Sequence, residues 1–561
     1  MNGKFPIGEG LKNTLADVCE GGGVPYIVGG AVRDWMLGIT PKDIDLEVYG
    51  VESSKLEKIL SKNGAVDFVG SSFGVYKMRR DGEEFDVSLP RRDSKTGVGH
   101  TGFDIGLDPH LSPEEASLRR DFTINSMFYD PIRGSLFDPH GGKDDLSRGV
   151  LRHTSDAFGE DPLRVLRAVQ FSARFGFELH DGTADLCRWM GKQGGFGELP
   201  KERILEEVKK FVVKGVYHTK GLATWGKTGW LDFFPELSVL ESTIQDPLWH
   251  PEGSVLTHTG LALEALHQIP KFRALDQNDK FVIGLGVLCH DMGKATTTKT
   301  EWSPRHNRTV VTSHNHHLEG VEPGRRFLER LGVGDRIKRK VEGLIRFHMD
   351  HIWTRGRRQT RKLARDLFEG GRGLDISTLA LVVEADHGGR PPLTPGLPET
   401  MKNIISCAKE EGCLNRPPDA LITGKDLLKE GIPDGKIMGL ALRAAYDFQI
   451  EGGIRTREEA VEWVRENILR IGKDTIKPIF SGRDLRALGC EPGPVFGEVL
   501  SKSYLLQLSG ADVSLADVLK ESENTDKNQK NRPRGGVGRL PKGQTTSKNG
   551  VSLSHDAVSR D

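Results

Sequence analysis

Two acidic residues near the start of the chain have the spacing of a metal site. Asp43 and Asp45 are separated by one apolar residue, so within a strand both carboxylates point to the same face. Neighbouring carboxylates repel each other unless a cation lies between them, and Mg²⁺ prefers such oxygen ligands together with substrate phosphates. The pair predicts metal-assisted transfer at a triphosphate, although an isolated pair of this kind is usually a solvated surface feature. Asp86, on a later predicted strand, is either a third carboxylate of this site or an exposed strand residue.

A glycine pair precedes these carboxylates. The apolar run 25–28 predicts a strand that ends at Gly29-Gly30 and leads into a helix. Backbone N–H groups at such a helix start can approach an anion closely, and Arg33 adds a guanidinium for phosphate oxygens. Because this turn and the two carboxylates occur together, we interpret them as one nucleotide site.

Charged residues recur at helical spacing further along the chain. Asp161, Arg164 and Arg167 are three positions apart, which predicts that they share one face of a helix. Taken alone, such a face is most often a solvated row of ion pairs.

The middle of the chain is rich in histidine. Imidazole together with carboxylate suits a transition metal better than Mg²⁺, and a bound metal can activate water for phosphoester hydrolysis. The residues of this set are His258, His290, Asp291, His314, His316, His348 and Asp386. The pattern resembles the HD phosphohydrolase domain, and that resemblance implies His258, His290, Asp291 and Asp386 as ligands of one divalent metal. His314, His316 and His348 are then substrate-binding or surface residues.

Composition limits the class of protein. The chain has 561 residues with 79 Lys+Arg and 79 Asp+Glu, a length that predicts about three or four domains. No apolar run approaches the ~18 residues of a membrane span. Six cysteines without a CxxC pair, and no signal-peptide pattern at the N-terminus, predict a reducing cytoplasm.

The motifs occur in the order of a known family. They resemble the class II tRNA nucleotidyltransferase (CCA-adding) and bacterial poly(A) polymerase superfamily. The matching segments are Gly29-Gly30-Ala31-Val32-Arg33-Asp34, Lys42-Asp43-Ile44-Asp45, Arg119-Arg120-Asp121-Phe122-Thr123-Ile124-Asn125 and Gly159-Glu160-Asp161-Pro162-Leu163-Arg164. The resemblance implies that Asp43 and Asp45 hold Mg²⁺, that Gly30, Arg33 and Arg120 bind the incoming nucleotide, and that Asp121 contacts its ribose.

The same resemblance implies a role in base selection for Asp161, Arg164 and Arg167. Cytosine and adenine each present an amine donor beside a ring-nitrogen acceptor, which a carboxylate and a guanidinium can recognise together. Uracil and guanine present the opposite order and would leave buried polar groups unpaired, a mismatch that can be rejected by ~10⁴-fold.

The expected fold is multidomain, with an N-terminal α/β nucleotidyltransferase palm followed by all-α neck, HD and tail domains. Within the tail, Gly424-Lys425-Asp426-Leu427 is repeated as Gly482-Arg483-Asp484-Leu485. The predicted bounds are 1–150 for the head, 151–245 for the neck, 246–395 for the HD domain, 396–520 for the tail and 521–561 for a disordered end.

The predicted activity is addition of CCA to tRNA 3′ ends from CTP and ATP, with a second, hydrolytic site acting on phosphomonoester or 2′,3′-cyclic phosphate ends. The partners are therefore tRNA, CTP and ATP, with no membrane and an open oligomeric state. A poly(A) polymerase and a partial (CC- or A-adding) enzyme are rivals, because such relatives share the head motifs. An HD phosphohydrolase with an inactive head is the rival from another class.

Overall fold

The computed structural model describes residues 4–62, 65–69, 75–95, 103–430, 436–469, 480–489, 496–500, 502–503 and 514–519. The chain divides into two compact units, Met1–Asp419 and Ala420–Asp561. The end predicted to be disordered, 521–561, lies outside the described residues. No helix in the described ranges is long and apolar enough to cross a membrane.

A seven-stranded mixed sheet forms the head, in the strand order β3-β4-β5-β2-β1-β8-β9. The strands of the whole structure are β1 Val24–Val28, β2 Asp45–Tyr49, β3 Ala65–Val69, β4 Val75–Arg80, β5 Glu83–Ser88, β6 Arg91–Lys95, β7 Phe103–Leu107, β8 Phe128–Asp130, β9 Ser135–Phe137, β10 Val150–Leu151, β11 Glu178–Leu179, β12 Thr298–Ser303 and β13 Arg308–Ser313. β2 and β5 run parallel, whereas the other neighbours in this sheet are antiparallel. The parallel register places Asp45, the first residue of β2, opposite Asp86, in the second half of β5, so the two acids lie side by side.

The glycine pair connects β1 to a helix that begins at Gly30, as predicted. Gly29 has φ 71°, in the left-handed region that favours glycine. A Cβ atom at this position would also lie 3.2 Å from Arg120 Nη1 and 3.5 Å from Asp45 Oδ2. The turn therefore brings backbone, arginine and carboxylate closer together than a larger residue would permit.

Helices account for most of the remaining structure. The first ten helices of the first unit are α1 Glu9–Glu20, α2 Gly30–Met36, α3 Ser53–Ser61, α4 Pro113–Ser117, α5 Gly142–Arg148, α6 Leu163–Phe175, α7 Asp181–Lys192, α8 Lys201–Lys214, α9 His218–Lys227 and α10 Pro235–Ser242. Those that follow in the first unit are α11 Val255–Gln268, α12 Pro270–Arg273, α13 Gln277–Cys289, α14 Lys294–Thr297, α15 His316–Glu319, α16 Val321–Arg330, α17 Asp335–Phe347, α18 Gly356–Gly370, α19 Ile376–Gly388 and α20 Glu399–Glu410. Short 3₁₀ helices cover Thr123–Asn125, Asp156–Glu160, Gly195–Glu198, Leu231–Phe233 and Asp350–Ile352. One continuous apolar core extends through this unit from Phe5 to Cys413.

The second unit contains the predicted repeat. Its helices are α21 Gly424–Lys429, α22 Lys436–Glu451, α23 Arg457–Val464 and α24 Gly482–Ala487, with a π-helical turn at Arg465–Leu469. Both α21 and α24 begin with a capping box, formed by Thr423 with Asp426 and by Ser481 with Asp484. The two copies of the repeated segment therefore have the same local structure, in which the shared aspartate satisfies backbone N–H groups.

A β-hairpin interrupts the helical region, where the sequence predicted helices alone. β12 and β13 pair antiparallel over six residues each, in a segment rich in the threonine and valine that favour strands. Asp246 anchors the hairpin, because it accepts hydrogen bonds of 2.8 and 2.9 Å from Arg308 and one of 3.1 Å from the Val311 backbone. The Arg308 guanidinium lowers the pKa of Asp246 to about 2.

Replacing Arg308 by Met should loosen this hairpin. Loss of a charge-assisted hydrogen-bond pair is expected to reduce amide-exchange protection in residues 298–313 by roughly tenfold. Hydrogen exchange followed by mass spectrometry at pH 7 measures this change. Arg305→Met, in the exposed turn of the same hairpin, is the matched control and should leave protection unchanged; an equal effect from both substitutions would contradict the anchoring role.

Candidate active sites

An acid-lined recess lies beside the start of β2 and the part of β5 that pairs with it. Asp43, Asp45 and Asp86 line the same cavity of about 340 Å³, so the two carboxylates predicted to share a face do so. Asp43 lies in the bend just before β2 rather than within the strand. Asp86 joins them because of the parallel register, and its placement favours a third carboxylate over an isolated exposed residue.

The environment of Asp45 is that of a carboxylate in need of a cation. Its removal from part of the surrounding water, together with the nearby carboxylates Asp86, Asp43 and Glu47, raises the pKa of Asp45 to about 6, while Arg120 acts in the opposite direction. A divalent cation in the recess would neutralise these acids and stabilise their ionised forms. The donor set, which is oxygen only, fits Mg²⁺.

A larger cleft of about 580 Å³ meets the acid recess at Asp45, which lines both cavities. Its wall is mainly cationic. The predicted residues that line it are Gly30, Arg33, Asp45, Arg120, Asp121, Asp161, Arg164 and Arg167. The further residues that line it and that the sequence reading did not single out for this role include Asn125, Gln170, Arg174, Arg203, Lys210 and Lys214. The cleft can therefore accept a polyanion whose one end reaches the acids.

Arg33 is held rigidly at the bottom of this cleft. Only 4% of its surface is exposed, and its guanidinium donates to Asp34 at 2.6 and 2.8 Å and to Asn125 Oδ1 at 2.6 Å. The same group lies 4.8 Å from the ring centre of Phe175 and 5.1 Å from that of Phe171. Such a fixed cation can orient phosphate oxygens without reorganising.

Arg120 forms a buried ion pair next to the acid recess. Its Nη2 donates to Glu47 Oε2 at 2.6 Å, and Glu47 is 1% exposed. The charge of this carboxylate directs the guanidinium towards Gly29 and the cleft. No sequence motif predicted the role of Glu47, which is buried on the same face of β2 as Asp45, opposite to the core residues Leu46 and Val48.

Asp121 connects the head to helix α6. Its carboxylate accepts from Arg167 Nε at 2.7 Å, from Asn125 at 2.9 Å and from the Phe122 backbone at 2.8 Å. Burial acts to raise the pKa of Asp121, but Arg167 and Asn125 hold this pKa below its ordinary value. Arg167 occupies Oδ2, whereas Asn125 and the Phe122 backbone occupy Oδ1. The ribose contact implied by the resemblance stays a prediction.

Asp161 is not part of the helix, contrary to the expectation of a single helical face. It has extended backbone geometry before Pro162, and α6 begins at Leu163, because proline restricts the residue before it to extended conformations. Asp161 Oδ2 accepts from Arg203 at 3.1 Å. Arg164 donates to the backbone carbonyls of Ala157 and Arg119. Asp161, Arg164 and Arg167 nevertheless all line the cleft.

A second cluster, of histidine and aspartate side chains, lies in the helical region. It borders a cavity of about 250 Å³. His258 Nε2 is 3.1 Å from Asp386 Oδ1 and 3.7 Å from Asp291 Oδ2, and His290 Nε2 is 3.2 Å from Asp291 Oδ2. The ligand atoms of His258, His290 and Asp386 all lie within 4.8 Å of one another. All four predicted ligands therefore converge, although they come from helix α11, the end of α13 and helix α19.

The orientation of the imidazole rings fits a transition metal. His258 Nδ1 lies 2.8 Å from Glu252 Oε1 and His290 Nδ1 lies 2.6 Å from the Val287 carbonyl, so each ring donates through Nδ1 to an acceptor. The Nε2 lone pairs then face the common point, as ligands oriented by outer hydrogen bonds do. His290 Nε2 is buried and makes no aligned hydrogen bond to the described residues. Nitrogen and carboxylate donors together suit a first-row transition metal.

Glu252, which no sequence pattern predicted, holds the His258 ring in this orientation. It is 1% exposed at its side chain and accepts from both His250 and His258 at 2.8 Å. Burial acts to raise the pKa of Glu252, but the hydrogen bonds from His250 and His258 lower it to about 2. Burial lowers the pKa of His258, but hydrogen bonding to Asp386 and Glu252 raises it to about 9. The carboxylates therefore favour positive charge at this point, and a bound metal ion would take the place of the proton on Nε2.

Cationic side chains lie beside the second cluster. Lys294 Nζ is 2.7 Å from Asp291 Oδ2, and Arg390 Nε is 3.7 Å from Asp386 Oδ1. Both line the cavity, where they can attract a phosphate. Of the three histidines with open roles, His316 and His348 are buried beside Asp291, whereas His314 has 81% of its side chain exposed.

The mixed sheet, the acid recess and the cationic cleft define a nucleotidyltransferase head followed by a largely helical region. The family model of the Poly A polymerase head domain matches residues 25–152. The Multifunctional CCA protein of Xanthomonas campestris pv. campestris (strain B100) is 36% identical over 371 residues, covering 65% of this chain and 85% of that protein. The Multifunctional CCA protein of Xylella fastidiosa (strain M23) is 36% identical over 373 residues, covering 65% of this chain and 84% of that protein.

A solved structure has the same fold. The Bacillus stearothermophilus CCA-adding enzyme in complex with CTP superposes with a TM-score of 0.58 at 20% identity, covering 82% of this chain and 98% of that chain. The chain belongs to the CCA-adding enzyme family, in the group of the multifunctional CCA proteins. The family resemblance and the fold class expected from the sequence are both confirmed.

Replacing Arg167 by Leu should destabilise the protein more than replacing Arg203 by Leu. Arg167 leaves behind Asp121, whose side chain is 9% exposed, whereas Arg203 leaves behind Asp161, at 26%. Stranding a buried carboxylate is expected to cost about 3 kcal/mol, against at most about 1 kcal/mol for the more exposed one. Urea unfolding monitored by circular dichroism measures the difference.

The second substitution Asp121→Asn should recover part of the loss in the Arg167→Leu variant, because it removes the stranded charge. Equal destabilisation by the two arginine substitutions, without recovery, would show that the ion pair does not fasten α6 to the head.

Proposed function

We propose that this chain adds C, C and A to the 3′ end of tRNA from CTP and ATP. The observation that carries the proposal is the meeting of the acid recess with the cationic cleft at Asp45. A nucleoside triphosphate lying in the cleft would have its phosphates between Arg33 and the three acids. The names of the relatives, Multifunctional CCA protein and CCA-adding enzyme, support the same activity.

The reaction joins the RNA 3′ oxygen to the α-phosphorus and breaks the bond from that phosphorus to the bridging oxygen of pyrophosphate. The hydroxyl proton passes to solvent, so no side-chain nucleophile is needed. Asp43 and Asp45 would hold Mg²⁺, with Asp86 beside them; when bound, the ion acidifies the hydroxyl and neutralises the leaving group. The chain's own part is to bind the triphosphate at Arg33 and Arg120 and to keep these cations fixed through Asp34 and Glu47.

We propose that Asp161, Arg164 and Arg167 select the base. The Asp161 carboxylate would accept from the exocyclic amine of cytosine or adenine, and Arg164 would donate to the neighbouring ring nitrogen. Arg203 on Asp161 and two backbone carbonyls on Arg164 restrict both side chains. Restricted groups cannot rearrange to accept uracil or guanine, so the wrong base leaves them unpaired.

A second, hydrolytic activity is proposed for the histidine cluster. His258, His290, Asp291 and Asp386 would hold one divalent transition metal, which when bound supplies Lewis acidity and a more acidic water. Water oxygen bonds to phosphorus, the phosphorus–oxygen bond to the leaving group breaks, and the leaving oxygen takes up a proton. Lys294 and Arg390 would bind the phosphate oxygens. Phosphomonoester or 2′,3′-cyclic phosphate ends of RNA are the proposed substrates.

The predicted domain bounds, 1–150, 151–245, 246–395 and 396–520, assign these functions to parts of the chain and stay part of the proposal. So does the cytoplasmic location. A poly(A) polymerase or a partial adder remains the alternative for the head, and the experiment below separates them.

Extension of a tRNA that lacks its terminal CCA, with one nucleotide or with several, tests the head. The parent should incorporate C and A and stop after CCA. Asp43→Asn should lower the extension rate at least about 100-fold, because metal binding contributes several kcal/mol to the transition state. Asp161→Ala should retain extension of some nucleotides but admit U or G. Gel analysis at single-nucleotide resolution measures each product.

Arg305→Met, in the exposed hairpin turn, is the control and should extend the tRNA as the parent does. Long A tails on unrelated RNA would instead indicate a poly(A) polymerase, and products ending in CC or formed only from CC-ended tRNA would indicate a partial adder. Unchanged C and A selectivity in Asp161→Ala would remove the proposed role of Asp161.

Hydrolysis of 2′,3′-cyclic AMP and p-nitrophenyl phosphate, with a panel of first-row divalent metals, tests the second site. His290→Gln should lower the rate at least about 100-fold and leave tRNA extension intact, because the two sites use separate residues. Asp43→Asn should show the reverse pattern. A chain whose hydrolysis survives His290→Gln, or in which Asp43→Asn leaves extension unchanged, would exclude the corresponding proposal.

A further inference from the structure

Exposed tryptophan is concentrated around the cavity of the histidine cluster. Four of the eight tryptophans are exposed, although this side chain is highly buried on average. Trp249 lines the cavity itself. Trp302 lies on the hairpin and Trp353 in the segment after α17, and both segments contribute other residues to the cavity wall. Exposed apolar side chains that are grouped in this way mark a site for a ligand or partner.

A fixed turn presents the Trp249 side chain. The Asp246 carbonyl accepts from the N–H groups of Trp249 at 3.0 Å and His250 at 2.8 Å, and the Asp246 carboxylate accepts from the Leu248 N–H at 3.1 Å. On the other side of Trp249, His250 Nδ1 lies 2.8 Å from the buried Glu252 carboxylate. Trp249 is nevertheless 59% exposed. The turn therefore holds the backbone of this residue in place while most of its surface stays open to a ligand.

Asp246 also fastens the hairpin, so it connects two parts of the cavity wall. Val311 and Ser313 of the hairpin line the cavity. Trp302 lies on the same face of the hairpin as these two residues, because of the strand register and because side chains alternate between the faces of a strand. The turn that bears Trp249 and the hairpin that bears Trp302 are therefore held together by one carboxylate.

The cavity offers positive charge for the phosphate of a nucleotide but little room for its base. Lys294 and Arg390 line it, and Lys294 donates to Gln245 Oε1 at 2.8 Å, which orients the ammonium group. Sites that bury most of a drug-sized ligand have volumes of roughly 300–1,000 Å³, and this cavity has about 250 Å³. A phosphate and its ribose bound at these cations would therefore leave the nucleobase at the mouth, where Trp249 is exposed.

We propose that Trp249 stacks against the terminal nucleobase of the RNA end that this cluster hydrolyses, and so forms a base subsite. The proposal rests on the hydrolytic site proposed above. An indole suits this role because stacking uses the π-face that every base has. The position of Trp249 in one cavity with Lys294 and Arg390 favours a nucleotide over a protein partner as the occupant. The site then binds nucleotide ends more tightly than phosphoesters that lack a base.

Two cyclic phosphates, one with a base and one without, test the base subsite. Adenosine 2′,3′-cyclic phosphate carries adenine, and methyl β-D-ribofuranoside 2,3-cyclic phosphate has a methoxy group in its place. The parent should show a KM about 5- to 150-fold lower for the adenosine compound, the range that one stacked base supplies. Trp249→Ala should raise that KM by the same factor, leave kcat unchanged and leave the kinetics of the baseless compound unchanged. Trp249→Phe should keep most of the preference.

Trp189→Ala removes an exposed indole that does not line the cavity. It is the matched control and should keep the parent's values for both compounds. Equal KM values for the two compounds in the parent, or an unchanged KM in Trp249→Ala, would overturn the base subsite and leave the hydrolytic site standing. An equal loss with both compounds in Trp249→Ala would also overturn it, because that pattern indicates a structural role.

Photolabelling decides the proposal if the parent hydrolyses neither compound or if Trp249→Ala does not fold. The first of these results would exclude the proposed hydrolysis but not the binding of a nucleotide. Under ultraviolet light, 8-azidoadenosine 2′,3′-cyclic phosphate should label residues 248–250 of the full chain, as located by tandem mass spectrometry. Unlabelled adenosine 2′,3′-cyclic phosphate should prevent this labelling. Absence of label from the turn would overturn the base subsite.

Discussion

Repulsion between carboxylates held close together is the constraint on which both sites depend. In the head, the parallel pairing of β2 with β5 places Asp45 opposite Asp86, and Asp43 lies in the bend just before. In the helical region, Asp291 and Asp386 face the same histidine cluster. Such groupings are unfavourable in the absence of positive charge. The fold supplies part of that charge through arginine, lysine and imidazole, and the proposed metals supply the remainder.

Hydrogen bonds to neighbouring side chains hold the arginines of the head in fixed positions. Arg33 is held by Asp34 and Asn125, and Arg120 by the buried Glu47. Arg167 pairs with Asp121 of the head although it lies on α6. The residues proposed to read the base and those proposed to bind the triphosphate are therefore joined by short, charge-assisted hydrogen bonds. A nucleotide bound between them would meet a preorganised surface.

The sequence predicted the parts of the structure that depend on local patterns. Gly29-Gly30 forms the expected turn, Asp43 and Asp45 share one cavity, and the repeated capping residues Asp426 and Asp484 begin equivalent helices. Some of what it missed depends on contacts between distant segments, such as the pairing of Glu47 with Arg120. Glu252 lies only six residues before His258, but it belongs to no motif, and the turn that precedes α11 brings its carboxylate to the imidazole.

Two other differences also have identifiable physical causes. Pro162 keeps Asp161 out of the helix that its spacing to Arg164 suggested. The threonine and valine residues of β13 favour a strand, and Asp246, more than fifty residues earlier in the chain, holds the resulting hairpin through Arg308. For His316 and His348 the sequence left two interpretations open, substrate binding or a surface position, and neither predicted that both rings would lie beside Asp291.

The apolar core that extends from Phe5 to Cys413 limits how such a protein can change during evolution. A deletion that removed only the histidine-bearing helices would uncover the inner faces of the neck, so a lineage that ceased to need hydrolysis would be expected to lose the ligands one by one while keeping the helices that carry them.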